Sequence, residues 1–79
     1  MKKYGIICIY DNGNETNDIS YLIKLENTLL DAEETLKQEM EEQLQKNYGT
    51  EYAEIKGFCI INKEDNSILE RYVILEFED

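Results

Sequence analysis

ISYLIKLE, residues 19–26, is the stretch whose reading decides the fold. As a strand it places Tyr21, Ile23 and Leu25 on one face. As a helix it continues the pattern that follows it. At 100° per residue, Ile19, Leu22, Ile23, Leu25, Leu29, Leu30, Ala32, Leu36, Met40, Leu44 and Tyr48 fall on one half of the wheel. Leu22, Leu29 and Leu36 recur every seven residues. The helical template accounts for more residues over a longer window, so a helix over 19–48 is preferred. Asp18 is then the N-cap, and Gly49 follows the C-cap. The alternative makes 19–26 a strand and starts the helix at Thr28.

Outward from this stretch the pattern is clearer. KYGIICIYD (3–11) is short and rich in β-branched and aromatic residues, which predicts a strand. YAEIKGFCIIN (52–62) and SILERYVILEFE (67–78) predict two more, joined by a KEDNS hairpin loop. The preferred architecture is a single α+β domain spanning residues 1–79, ordered β-α-β-β. It has one long amphipathic helix packed on a three-stranded sheet. The alternative is ββαββ.

Two features of this architecture point to association. A helix over 19–48 would be roughly 45 Å long at 1.5 Å per residue, against about 33 Å for a ten-residue strand, so it would overhang the sheet. The sheet also reads as apolar on both faces. One face holds Ile7, Ile9, Ile55, Cys59, Ile61, Leu69, Val73, Leu75 and Phe77. The other holds Tyr4, Ile6, Cys8, Tyr10, Phe58, Ile60, Tyr72 and Ile74. One helix covers one face, and contiguous exposed apolar patches are unusual on monomers. Tyr4, Ile6, Tyr10, Phe58, Ile60, Tyr72 and Ile74 are therefore the candidate interface, and a homo-oligomer is expected. A chain of 79 residues also buries little of its surface alone.

Charge narrows the partners. The chain carries 18 acids and 8 bases, a net charge of −10. Residues 1–17 are neutral, whereas 18–48 and 49–79 each carry −5. Such a surface repels nucleic acid and anionic lipid and attracts a basic protein. On the helix, Asp31, Glu34, Glu39, Glu41 and Glu42 spread over the arc opposite the leucines, with Gln38 and Gln45 between them. Carboxylates one or two turns apart can engage several Lys or Arg side chains at once. The plainer account is a solvated face with Glu33–Lys37 and Glu42–Lys46 ion pairs at i,i+4. Glu26 and Glu33 stand out, because on the long helix both fall in the apolar arc. Either the helix breaks near Asn27, or they meet Lys37, Lys56 or Arg71.

Signatures of catalysis are thin. The chain has no histidine, and its four glycines are scattered. Neither Ser20 nor Ser67 lies in a nucleophile motif. Two cysteines without histidine cannot complete a tetrahedral zinc site. The loop Asp11, Asn12, Asn14, Glu15, Asn17, Asp18 is crowded with oxygen ligands, but its spacing is not that of an EF-hand, and turn formation explains each residue. No cofactor or metal is expected. Cys8 and Cys59 sit in apolar runs and are expected to be reduced and buried, and a disulfide between them stays open. The longest apolar run, YGIICIY (4–10), is too short to span a membrane, and MKK before it makes a poor signal peptide. A cytoplasmic protein is expected.

Size, acidity and missing catalytic groups are similar in kind to small inhibitors: phage anti-defence proteins, including anti-CRISPRs, and bacterial immunity proteins or antitoxins. No motif carries this likeness. The expected function is a non-enzymatic inhibitor that binds a basic nucleic-acid-handling protein as a nucleic-acid mimic. The alternative is a self-associating structural or regulatory domain whose acidity serves only solubility.

Overall fold

KKYGIICIYD alternates β-branched and aromatic residues, and Lys2–Asp11 forms strand β1. ISYLIKLE is also a strand: β2 spans Asp18–Glu26. In a computed structural model that describes residues 2–11 and 18–78, the fold is α+β, with one helix on a five-stranded antiparallel sheet. The chain continues through helix α1 (Leu29–Gln43), a π-helical turn (Leu44–Tyr48), β3 (Ala53–Lys56), β4 (Cys59–Asn62) and β5 (Ile68–Glu78). The sheet order is β2-β1-β5-β4-β3. A hairpin and a three-stranded meander thus meet where β1 pairs β5, from Lys2↔Glu78 to Tyr10↔Glu70.

Three expectations are corrected. Residues 19–26 are not helical, because β2 satisfies its backbone groups against β1 from Tyr4↔Glu26 to Asp11↔Asp18. The N-cap is Thr28, not Asp18. Thr28 is extended, and its hydroxyl accepts the Asp31 N–H at 3.1 Å. The helix is therefore short and does not overhang the sheet. Residues 52–62 are two strands rather than one, giving five strands rather than three or four. Gly57 takes φ 62 at the first of the two residues joining β3 to β4, where a tight hairpin asks for a left-handed backbone. The helix stops as its sequence indicates. Gly49 has φ 85, and its N–H bonds the Leu44 carbonyl at 2.6 Å.

Ala32, Leu36 and Met40, spaced four apart, form the buried stripe of α1. They pack on Ile6, Cys8, Ala53, Ile60 and Tyr72. The helix therefore covers the sheet face that the sequence suggested was free. Ile6, Ile60 and Tyr72 are buried core, while Tyr4, Tyr10 and Ile74 are half-buried against it. Of that candidate interface only Phe58, in the β3–β4 turn, is exposed. Alternation fixes which residues of one strand share a face, but not which face a crossing helix takes; nor did it carry across the β3–β4 turn, since Ile55, expected beside Cys59 and Ile61, pairs with Ile60 and packs on the core.

The opposite face stays open. Register places Gly5, Ile7 and Ile9 of β1 beside Leu75, Val73 and Arg71 of β5, with Leu22 and Leu25 of β2 on the other side. Leu22, Leu25, Leu75 and Phe77 are each 42–49% exposed. Gly5 has no room for a side chain on this face. A Cβ there would lie 2.6 Å from the Phe77 ring and 3.0 Å from Leu22.

The cysteines lie on opposite faces. Cys8 pairs with Tyr72 in the core, whereas Cys59 pairs with Arg71 on the open side, and both are free thiols. Asn12, Asn14, Glu15 and Asn17 of the oxygen-rich loop lie outside the described residues. No described helix is long and apolar enough to cross a membrane.

Candidate functional site

The outer face of α1 carries a dense run of acids. Asp31, Glu34, Glu41 and Glu42 are exposed, and Glu39 is half-buried. Asp31, Glu34, Glu41 and Glu42 lie away from the Ala32–Leu36–Met40 stripe, but Glu39, seven residues after Ala32, sits at the edge of the stripe rather than opposite it. The proposed Glu33–Lys37 and Glu42–Lys46 pairs are not formed. The ion pairs among the described residues are Lys2–Glu76 at 3.2 Å and Lys24–Glu26 at 3.3 Å. The carboxylates of α1 thus face solvent without a basic partner from the described residues. A shallow depression of about 240 Å³ runs between Gln38, Glu41, Glu42 and Gln45. Asp31 also meets the positive end of the helix dipole in the first turn.

Glu26, puzzling on a long helix, is explained by β2. It sits at the strand end, accepts the Thr35 hydroxyl at 2.5 Å and pairs with Lys24. The Thr35 hydroxyl, helped by Lys24, holds its carboxyl below the usual range. Glu33 is exposed on α1 and has no such role.

Both signs of charge reach the open face of the sheet. Register assigns Lys3, Lys56 and Arg71 to the open sheet face, and Asp11, Asp18 and Glu54 to the same face. Three of the eight bases therefore stand on the face away from the acidic helix.

One cluster carries no sequence motif. Glu70 is 6% exposed and is a buried charged residue on the helix-covered side of β5. Its Oε1 accepts the Tyr72 hydroxyl at 2.8 Å and the Cys8 thiol at 3.2 Å. Its Oε2 accepts the Tyr48 hydroxyl. The strands supply Cys8, Glu70 and Tyr72, while the π turn swings Tyr48 down onto the carboxylate. Tyr10 and Tyr21 stand beside it, ring centroids 6.1 Å apart at 74°. Tyr10, Tyr21, Gln43, Asn47, Tyr48 and Glu70 line a cavity of about 240 Å³.

Burial pushes the Cys8 thiol up to about 11, and its hydrogen bond to Glu70 adds to the rise. Burial, then Glu70, likewise raises the Tyr48 and Tyr72 hydroxyls. Cys8 is therefore a protonated donor at neutral pH and lacks the thiolate character of a nucleophile. The arrangement suits binding better than group transfer: a fixed negative charge, aromatic walls and an opening. Sequence reasoning did not single out Glu70, Tyr48 or Tyr21. The available signal was a carboxylate sharing a strand face with Tyr72 and Ile74, where an alternating apolar pattern has no reason to place one.

Comparison with family models, curated proteins and solved structures found no match to this chain.

Proposed function

We propose that the protein is a non-enzymatic binding protein of the cytosol. Its acidic helix side engages a basic, nucleic-acid-handling protein in the manner of a nucleic-acid mimic, and its open sheet face pairs with a second copy. The observation that carries this reading is the segregation of surfaces. The carboxylates of Asp31, Glu34, Glu41 and Glu42 project from one side, unpaired among the described residues. The exposed Leu22, Leu25, Leu75 and Phe77 lie on the other. A chain of net charge −10 repels its own copies, so the surface on which two copies meet is the exposed apolar strip rather than the acidic helix. Face-to-face pairing buries the apolar strip and leaves both acidic helices outward.

The two halves of the proposal have separate tests. Light scattering at micromolar concentration should give twice the 9.3 kDa chain mass. Leu25→Glu with Leu75→Glu should return a folded monomer, because both side chains are about half exposed and outside the core. A wild-type monomer overturns self-pairing.

For the acidic side, the triple variant Glu34→Gln, Glu41→Gln, Glu42→Gln should keep its fold. Basic nucleic-acid-binding proteins captured by the wild type should be released by added duplex DNA. They should associate with the triple variant roughly tenfold or more slowly, the scale of electrostatic steering. Raising salt should slow the wild type in the same way, because exposed charges are screened within roughly 8–10 Å at physiological ionic strength. Capture that ignores DNA, salt and the substitutions overturns the mimic. The open apolar face favours the second reading, a self-associating domain whose acidity serves solubility, and that outcome would leave it standing.

A further inference from the structure

We infer that the cavity bounded by Tyr10, Tyr21, Tyr48 and Glu70 is a receptor site for an organic ammonium group, and for a methylated one in preference to a bare one. This goes beyond the acidic helix and does not depend on it.

The argument begins with the carboxylate. Glu70 is buried, and its three donors, Cys8, Tyr48 and Tyr72, are all neutral. Neither ion pair of the described residues involves it. A buried charge satisfied only by neutral hydrogen bonds still lacks a counter-ion, and supplying one in a partly dry site is favourable.

The walls define which cation fits. Three of the lining residues are tyrosines, and the Tyr10 and Tyr21 rings meet nearly at right angles. Aromatic faces around a carboxylate attract a cation through the ring quadrupole as well as by charge. Gln43, Asn47 and Tyr48 come from the last turns of the helix, whose carbonyl end is the negative end of its dipole. The volume of about 240 Å³ suits a group of several heavy atoms. A single water takes only roughly 30 Å³ of liquid volume.

Hydrogen bonding selects the methylated form. A carboxylate offers about four lone-pair positions. Three at Glu70 are taken by protein donors. A bare ammonium brings three N–H donors and must exchange its water for about one free position on that carboxylate and the amide oxygens of Gln43 and Asn47. A quaternary ammonium brings none and loses nothing, needing only charge and ring faces.

The test follows tyrosine ring signals by NMR in the full chain. Titrants are tetramethylammonium chloride, choline chloride, Nα-acetyl-trimethyllysine amide, Nα-acetyl-lysine amide and sodium chloride. Saturable shifts at Tyr10, Tyr21 and Tyr48 are expected with the methylated cations. The bare lysine amide should bind several-fold more weakly, and sodium should give no saturation. Tyr21→Leu, at a 44% exposed position, should weaken binding roughly tenfold while the fold is kept. Glu70→Gln should abolish saturation; if that variant unfolds, Tyr21→Leu still decides. Binding of choline without the trimethyllysine amide points to a free small molecule, and binding of both points to a modified side chain; each supports the site. Shifts that fail to saturate, match those of sodium or survive Tyr21→Leu unchanged overturn it.

Discussion

Leu36→Ala is expected to cost about 2–5 kcal/mol, the range for truncating a fully buried leucine. Leu36 is 0% exposed, between Ala32 and Met40 in the stripe that α1 sets on the sheet. Small domains hold roughly 0.05–0.15 kcal/mol per residue, or about 4–12 kcal/mol for a chain of this length. The substitution therefore removes a large share of the total. The cavity lies between two rigid layers, with Ala32 too small to fill it. Denaturant unfolding at fixed protein concentration measures the loss; the concentration is held because pairing of copies also stabilises. At roughly 4–8 °C per kcal/mol for a domain of this size, the melting temperature should fall by at least about 8 °C. Leu30→Ala is the internal control: Leu30 is 66% exposed on the same helix and should cost well under about 1 kcal/mol. If Leu36→Ala behaves like Leu30→Ala, the helix does not pack as described.

That contrast also shows where the sequence was legible. The helical wheel put Ala32, Leu36 and Met40 on its apolar half and these are buried, but it put Leu29 and Leu30 there too, and both are exposed. The acids at 31, 34, 41 and 42 fell on the opposite arc, and they are exposed. The stretch 19–26 misled because its leucines and isoleucines satisfy both periods. Only the pairing with β1, a contact between distant parts of the fold, decides for the strand. Local cues nonetheless existed: Thr28 is a good cap, and Glu26 is costly inside an apolar arc but natural at a strand end beside Lys24. Gly57 was a second cue, a residue free to take positive φ within an otherwise continuous strand pattern. The free face of the sheet was not legible, since both sets of alternate residues are apolar. Glu70 was hidden for another reason. Its partners, Cys8 and Tyr48, are 62 and 22 residues away, and no spacing rule brings them together.

The same cluster gives the strongest pH dependence expected of the molecule: stability should fall steeply above about pH 9 and the domain should unfold in alkali. The thiol of Cys8 and the hydroxyls of Tyr48 and Tyr72 converge on one carboxylate. Deprotonating any of them in the folded state would set a second negative charge against Glu70 in a buried place. Burial is the larger cause of their raised values and the bond to Glu70 the next. In the unfolded chain the thiol titrates near 9.0 and the tyrosines near 10.0. Folded, Cys8 holds its proton to about 11, and both tyrosines hold theirs beyond the ordinary range. The unfolded chain therefore sheds protons first as pH rises. The stabilisation is intact below pH 9 and is lost progressively through the folded values. Far-ultraviolet circular dichroism and tyrosinate absorbance, followed together, should show a cooperative loss of ellipticity coinciding with a late burst of tyrosine ionisation. Tyr72→Phe removes one of the coupled protons. Between about pH 10 and 12 its unfolding free energy should fall less steeply, by up to about 1.4 kcal/mol per pH unit, which is the weight of one proton. Smooth ionisation of all the tyrosines with ellipticity unchanged to pH 12, or a Tyr72→Phe slope equal to the wild type, would mean these hydroxyls are not held against Glu70.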